Sequence, residues 1–309
     1  MVSTRKRDYD HTDMAPKFIA RLKPCKTRKP NPRKPPADGS CPFLSLPGEI
    51  RNHIYKFALT EPGGLHFNRR GGREMLTAKG RCWHSNKLQF VNKQIRGEVK
   101  GLGLKHNDLN FTTKKEADEA PMTTAVTFLL QVQPSWFKHM RTIIICRKEP
   151  IDYIFRELYQ REDTYFSLNS RDKLMDICRS NPNITIKMML PGWQLNGTWC
   201  FFMLMSILLT RVYRGEDIRH LDTWGEDPEF VLALYGYEKG YFLNGVDRDA
   251  WDALCVPNFK IFPLDAGISD EQLEQKIMLA NDRCRGHVAY RADLTVWAEK
   301  AKEWYANGI

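Results

Sequence analysis

The residues with the chemistry for catalysis or metal binding are few and scattered. Asp217, His220 and Asp222 fall close together beside Trp224. An imidazole between two carboxylates can serve as an acid–base pair or as a nitrogen-and-oxygen ligand set. In a polar loop the same residues are the ordinary charges of a solvated surface, and that is the preferred reading. Cys82-Trp83-His84 sets a thiol near an imidazole. No second half-site at zinc-ligand spacing accompanies it, so a structural role is expected. The eight cysteines are spread along the chain without a Cys-x-x-Cys pair and do not form a disulfide framework. A phosphate-cradling glycine loop, a Gly-x-Ser-x-Gly elbow and a His-Glu-x-x-His helix are all absent from the sequence. The expectation is a protein that is not an enzyme, with no cofactor and no bound metal.

Charge is the next chemical feature. Of the net +10, residues 1–40 hold eleven Lys and Arg against four Asp, a balance of +7. The remaining residues carry 36 basic against 33 acidic groups, so the basicity belongs to the leader. Arg5, Lys6 and Arg7, then Lys26, Arg28, Lys29, Arg33 and Lys34, form two clusters broken by prolines. Such clusters fit nuclear import or phosphate contact. Proline and charge together predict a disordered basic tail over 1–41. The second cluster has no interleaved aromatic for base stacking, which leaves weak, salt-sensitive nucleic-acid binding as its expected reach. The N-terminus also lacks the apolar segment of a signal peptide. The chain therefore reads as intracellular, in nucleus or cytoplasm, and not secreted.

These groups need elements to position them, and the first element is 43–59. Pro47 suits the first helical position, Ser45 is a capping residue type, and Glu49 places a negative charge in the first turn. Ile50, Ile54, Phe57 and Ala58 recur at helical spacing, with Arg51, Asn52 and Lys56 on the other side. Periodicity alone reads this as the first helix of a core, burying its isoleucines.

Leu46-Pro47-Gly48-Glu49-Ile50-Arg51-Asn52-His53-Ile54-Tyr55 resembles the opening "LPxEIRNxIY" block of a fungal F-box-like group, the two-EXR family. A second block of that family resembles Val91-Asn92-Lys93-Gln94-Ile95-Arg96-Gly97-Glu98, continued by Asn107 to Phe111. Gln94 stands where the family pattern has Glu. The resemblance covers about a quarter of the chain. It implies an interaction module, and by extension a substrate receptor of an SCF-type ubiquitin ligase. Leu46, Pro47, Ile50 and Ile54 would then contact the adaptor. That role requires part of the apolar helix face to stay exposed.

The body follows in order. Leu65–Phe67 and Glu74–Thr77 read as a hairpin with a basic tip, and Lys87–His106 as one helix with a stripe of Leu88, Val91, Ile95, Val99 and Leu102. Met140–Cys146 and Ile184–Leu190 read as strands, with helices over 124–133, 151–160 and 169–180 around them. Trp199–Leu209 is too short to span a bilayer and reads as a core helix; no membrane contact is expected. Phe259–Phe262 is a last strand candidate. Ser269 to Gln272 forms a capping box ahead of a helix, and a final helix runs over 290–305.

The expected fold is α+β, a mixed α/β protein. F-box-like helices with a hairpin insertion (42–112) precede irregular helix–strand units (113–265) and a C-terminal helical segment (266–309). The expected function is protein–protein interaction. A nuclear nucleic-acid-associated protein using the basic tail is the alternative, and an enzyme site near Asp217–Trp224 is the least favoured.

Overall fold

Two strand-forming runs, Thr142–Arg147 and Thr185–Leu190, lie side by side in a six-stranded sheet. The computed structural model describes residues 41–70, 73–81, 86–113, 120–147, 168–190, 193–195, 199–216, 254–284 and 294–309. Its strands are β1 (Leu65–Arg70), β2 (Arg73–Ala78), β3 (Leu109–Thr113), β4 (Thr142–Arg147), β5 (Thr185–Leu190) and β6 (Phe259–Pro263). Its helices are α1 (Gly48–Leu59), α2 (Lys93–Glu98), α3 (Leu102–His106), α4 (Pro121–Gln131), α5 (Pro134–Phe137), α6 (Leu168–Ser180), α7 (Trp199–Arg214), α8 (Asp270–Cys284) and α9 (Leu294–Asn307). Sheet order is β2-β1-β3-β4-β5-β6. Only β1 and β2 pair antiparallel, as the hairpin; the other neighbours are parallel. Parallel neighbours cannot be joined by a tight turn, so the chain crosses over between them, and helices occupy those crossovers. The mixed α/β reading is therefore correct.

The chain divides at Pro47 into a short leading unit and the body. In the leading unit, residues 41–47 form tight turns, with Leu44 N–H bonded to the Cys41 carbonyl (2.9 Å) and Leu46 N–H to that of Phe43 (3.3 Å). The body has one continuous core. It takes alternate strand residues, including Leu109, Phe111, Ile143, Ile145, Ile186, Met188, Phe259 and Ile261. The residues between them face the opposite side of the sheet, as the two-residue period of a strand requires. β5 is thus buried on one face, whereas in β4 Cys146 is buried on the face opposite to Ile143 and Ile145.

Aromatic side chains fill the two ends of this core. Phe67, Phe111 and Phe128 meet with centroids 5.4–5.7 Å apart. Trp193, Phe202 and Trp304 meet at 5.6–6.3 Å, and the buried Trp193 indole donates to Ser206 Oγ at 2.9 Å. Asn258 Nδ2 donates to the carbonyls of Cys178, Asn181 and Ile184, tying the turn after α6 to the entry of β6. Ile309 exchanges two backbone bonds with Ile261 (2.6 and 2.8 Å), which covers the outer edge of β6.

Local sequence signals explain several boundaries. Ser269 and Gln272 satisfy each other's backbone N–H at the start of α8, as a capping box does. Pro134 opens α5 as well as following α4. α7 continues past Leu209 to Arg214, whose guanidinium donates to the carbonyls of Tyr213, Val256 and Phe259.

The stretch 87–106 is not one helix. It is a 3-10 turn at Leu88–Phe90, then α2, then α3. Asn92 is extended and caps α2 by accepting from Ile95 N–H at 2.7 Å. Gly101 has φ +80°, and a Cβ there would meet the His139 ring at 2.8 Å. Both residues break the helical path. Val91 is consequently 61 % exposed, whereas Ile95 and Val99 are buried. The expected helix over 151–160 lies outside the described residues.

Candidate functional site

The site is built around α1. Glu49 sits in its first turn and Lys56 in its last, each favourable toward the helix dipole. Pro47 immediately precedes the first helical residue. Ser45 does not cap: its hydroxyl donates to the Pro42 carbonyl at 2.7 Å.

The helix packs with the opposite side inward from the one its periodicity suggests. Tyr55 and Leu59 are buried at 1 % and 3 % exposure, with Arg51 beside them on the same face. Ile50 is 47 % exposed, Ile54 41 % and Phe57 89 %, and Ala58 is exposed too. At about 100° per residue, the Ile50–Ile54–Phe57 stripe lies about 130° round the helix from Arg51–Tyr55–Leu59. The expectation that the isoleucines are buried and Arg51 solvated is reversed.

The reason is the carboxylate of Glu98, on α2. Arg51 donates to both of its oxygens, Nε to Oε2 and Nη2 to Oε1, each at 3.0 Å. Tyr55 Oη donates to Oε2 at 2.7 Å, and Gln94 Nε2 to Oε1 at 3.0 Å. A fork-to-fork guanidinium–carboxylate pair fixes orientation as well as proximity. These donors hold the Glu98 carboxyl down at about 2, chiefly through the hydrogen bonds from Arg51, then Tyr55 and Gln94. Burial, reinforced by the neighbouring carboxylate, pushes the Tyr55 phenol up to about 12, so it remains a donor.

A second clamp closes the C-terminal end of α1. Asn107 is buried; its Nδ2 donates to the carbonyls of Leu59 and Gly103, both at 2.7 Å, and its Oδ1 accepts from Glu61 N–H at 2.6 Å. Asn110 Nδ2 donates to the Gly63 carbonyl at 3.1 Å. Gly64 has φ +74°, and a Cβ there would lie 2.4 Å from the Asp108 carbonyl oxygen, so the turn into β1 admits only glycine. The residues of the two sequence blocks therefore divide by role. Arg51, Tyr55, Asn92, Glu98, Asn107, Asn110 and Phe111 hold the fold together. Ile50 and Ile54 are presented outward, and Phe57 joins them.

Of the other residues singled out from sequence, Leu46 is part-exposed and Pro47 exposed in the leading unit. The basic residues Arg5, Lys6, Arg7, Lys26, Arg28, Lys29, Arg33 and Lys34 lie outside the described residues, as do Asp217, His220, Asp222, Trp224 and Cys82-Trp83-His84. Phe90 is a further exposed aromatic (65 %) that the single-helix reading of 87–106 concealed. A groove of about 240 Å³ runs between β2 and α4, lined by Glu74, Met75, Leu76, Phe128, Gln131 and Val132. Its one carboxylate is paired to Arg69 at 2.7 Å. Among the described residues, no group of three or more His, Cys, Asp or Glu is placed to hold a metal, and no helix is long and apolar enough to cross a membrane.

Compared with protein-family models, curated proteins and solved structures, the chain finds no match in any of the three.

Proposed function

We propose that this protein is an interaction module that docks a partner protein on the exposed face of α1. The supporting observation is the outward stripe of Ile50, Ile54 and Phe57 on a helix whose other side is clamped to the body. Single exposed apolar side chains need no explanation, but three on one helix face form a patch suited to a protein partner. Phe57, at 89 % exposure, is the natural anchor for a partner pocket. The clamp keeps the helix rigid, which lowers the ordering cost of binding. The resemblance of 46–55 to the F-box-like block favours the adaptor subunit of an SCF-type ubiquitin ligase as the partner.

A pull-down with purified adaptor subunit tests this. Wild type is compared with Ile54→Glu/Phe57→Glu and with Leu46→Ala/Pro47→Ala, each confirmed folded by circular dichroism. Capture by wild type that is lost in the folded Ile54→Glu/Phe57→Glu variant supports the proposal. Folded wild type that captures no adaptor refutes the choice of partner, and capture that survives both double variants refutes the surface.

A further inference from the structure

Of the two register rows that cross all six strands, the one away from the core runs Thr77, His66, Asn110, Ile144, Lys187 and Lys260. The neighbouring row on the same face runs Thr112, Cys146, Met189 and Phe262, and beyond it Thr142 pairs with Thr185. None of these residues belongs to the core cluster, which takes their alternates. Lys187, Lys260, Ile144 and Met189 are part-exposed, while Phe262 is 7 % exposed beneath them.

The two lysines are unusual in their setting. They are direct partners on neighbouring strands, about 4.8 Å apart at the backbone. Like charges placed opposite each other weaken a sheet. Among the described residues neither has a carboxylate partner: Lys187 Nζ lies 5.3 Å from the Phe262 ring centroid, and Lys260 Nζ donates to the Asn307 carbonyl at 3.2 Å. Lys276, Lys300 and Lys302, by contrast, each have an acidic partner within 2.9 Å. The described residues of this face include no Asp or Glu at all.

We infer that this face binds an acidic peptide segment of a partner protein, its carboxylates bridging Lys187 and Lys260 and an apolar side chain lying on Ile144 and Met189. Carboxylates set across the pair turn an internal repulsion into an attraction, and the flanking apolar surface supplies burial. Nucleic acid fits less well, because Lys187 and Lys260 neutralise only about two phosphates and the described side chains of this face include no exposed aromatic ring for stacking. The inference does not depend on the reading of α1, which uses different residues.

Fluorescence anisotropy on the full chain tests it, with a short labelled peptide of repeating Glu-Glu-Leu, its Gln-Gln-Leu counterpart and a short oligothymidylate. The acidic peptide is expected to bind over the neutral one. Lys187→Glu/Lys260→Glu should weaken it by about tenfold or more, and Lys187→Arg/Lys260→Arg should keep it within about twofold. A photo-crosslinking version of the acidic peptide on wild type should label 184–190 and 258–263, a readout that needs no variant to fold. Three results overturn the inference. They are equal affinity in the charge-reversed variant, labelling confined to the basic residues 1–40, and tighter binding of the oligothymidylate lost in that same variant.

Discussion

Replacing Asn107 with alanine should unfasten the C-terminal end of α1. The side chain makes three hydrogen bonds, two donated and one accepted, all at 2.6–2.7 Å. The bond to the Leu59 carbonyl is fully buried, and the other two are partly so. A partly buried bond contributes about 0.5–1.5 kcal/mol net, and a buried carbonyl left without a donor costs about 1–3 kcal/mol. The sum is a loss of about 2–6 kcal/mol, about 4 at the centre of the ranges. Urea unfolding of wild type and Asn107→Ala, at equal m-value, measures it directly. Hydrogen exchange adds location: amides of 56–61 should exchange faster in the variant, while β4 and β5 shift only with global stability. Asn107→Asp keeps the acceptor for Glu61 N–H but sets a carboxylate oxygen against two carbonyls, so it should be no more stable than the alanine variant. A loss below about 1 kcal/mol in Asn107→Ala, with unchanged exchange at 56–61, would refute the clamp.

Three further outcomes are expected. Glu98→Gln should lower stability near neutral pH. Because folding depresses the Glu98 pKa from 4.5 to about 2, its contribution is fully present above the unfolded value and is lost as pH falls through about 2. The gap between wild type and Glu98→Gln should therefore narrow between about pH 5 and about pH 3 in urea titrations, and a gap independent of pH would contradict the network. Ile54→Glu/Phe57→Glu should leave unfolding within about 0.5 kcal/mol of wild type, whereas Leu59→Ala on the inward face should cost about 3 kcal/mol; reversal of that order in thermal melts would mean the helix faces the other way. Gly64→Ala should destabilise by at least about 2 kcal/mol, because it combines a positive φ with a collision against backbone; a melt like that of wild type would show the turn can relax.

Much of the secondary structure was legible because its causes are local. The alternation in Ile184–Leu190, the β-branched run around Ile143, the capping box at Ser269 and the apolar run from Trp199 each specify their element within a few residues. The single helix expected over 87–106 failed for an equally local reason. Asn92 and Gly101 interrupt it, and a side chain suited to capping together with a glycine in the left-handed region outweigh a matching hydrophobic stripe. The orientation of α1 was only half legible. Periodicity picked out Ile50, Ile54, Phe57 and Ala58 as one stripe but turned it inward, whereas the block 46–55 implied that part of this face stays exposed, as Ile50, Ile54 and Phe57 are.

By itself the sequence determined that 43–59 carries a helix with an apolar stripe of Ile50, Ile54, Phe57 and Ala58 and a polar side with Arg51, Asn52 and Lys56. Only the tertiary structure decided which face turns inward. The deciding partners are Glu98 and Asn107, more than forty residues along the chain from the groups they hold. Periodicity reports that a helix has a side to bury, yet it carries no information about what that side will meet. A carboxylate that accepts from both Arg51 and Tyr55 selects the polar-edged face, and the aliphatic one is left to solvent or to a partner. The same holds for the sheet. Each strand's alternation was written locally, but the pairing of Lys187 with Lys260 arises from register between strands that only the folded chain brings together.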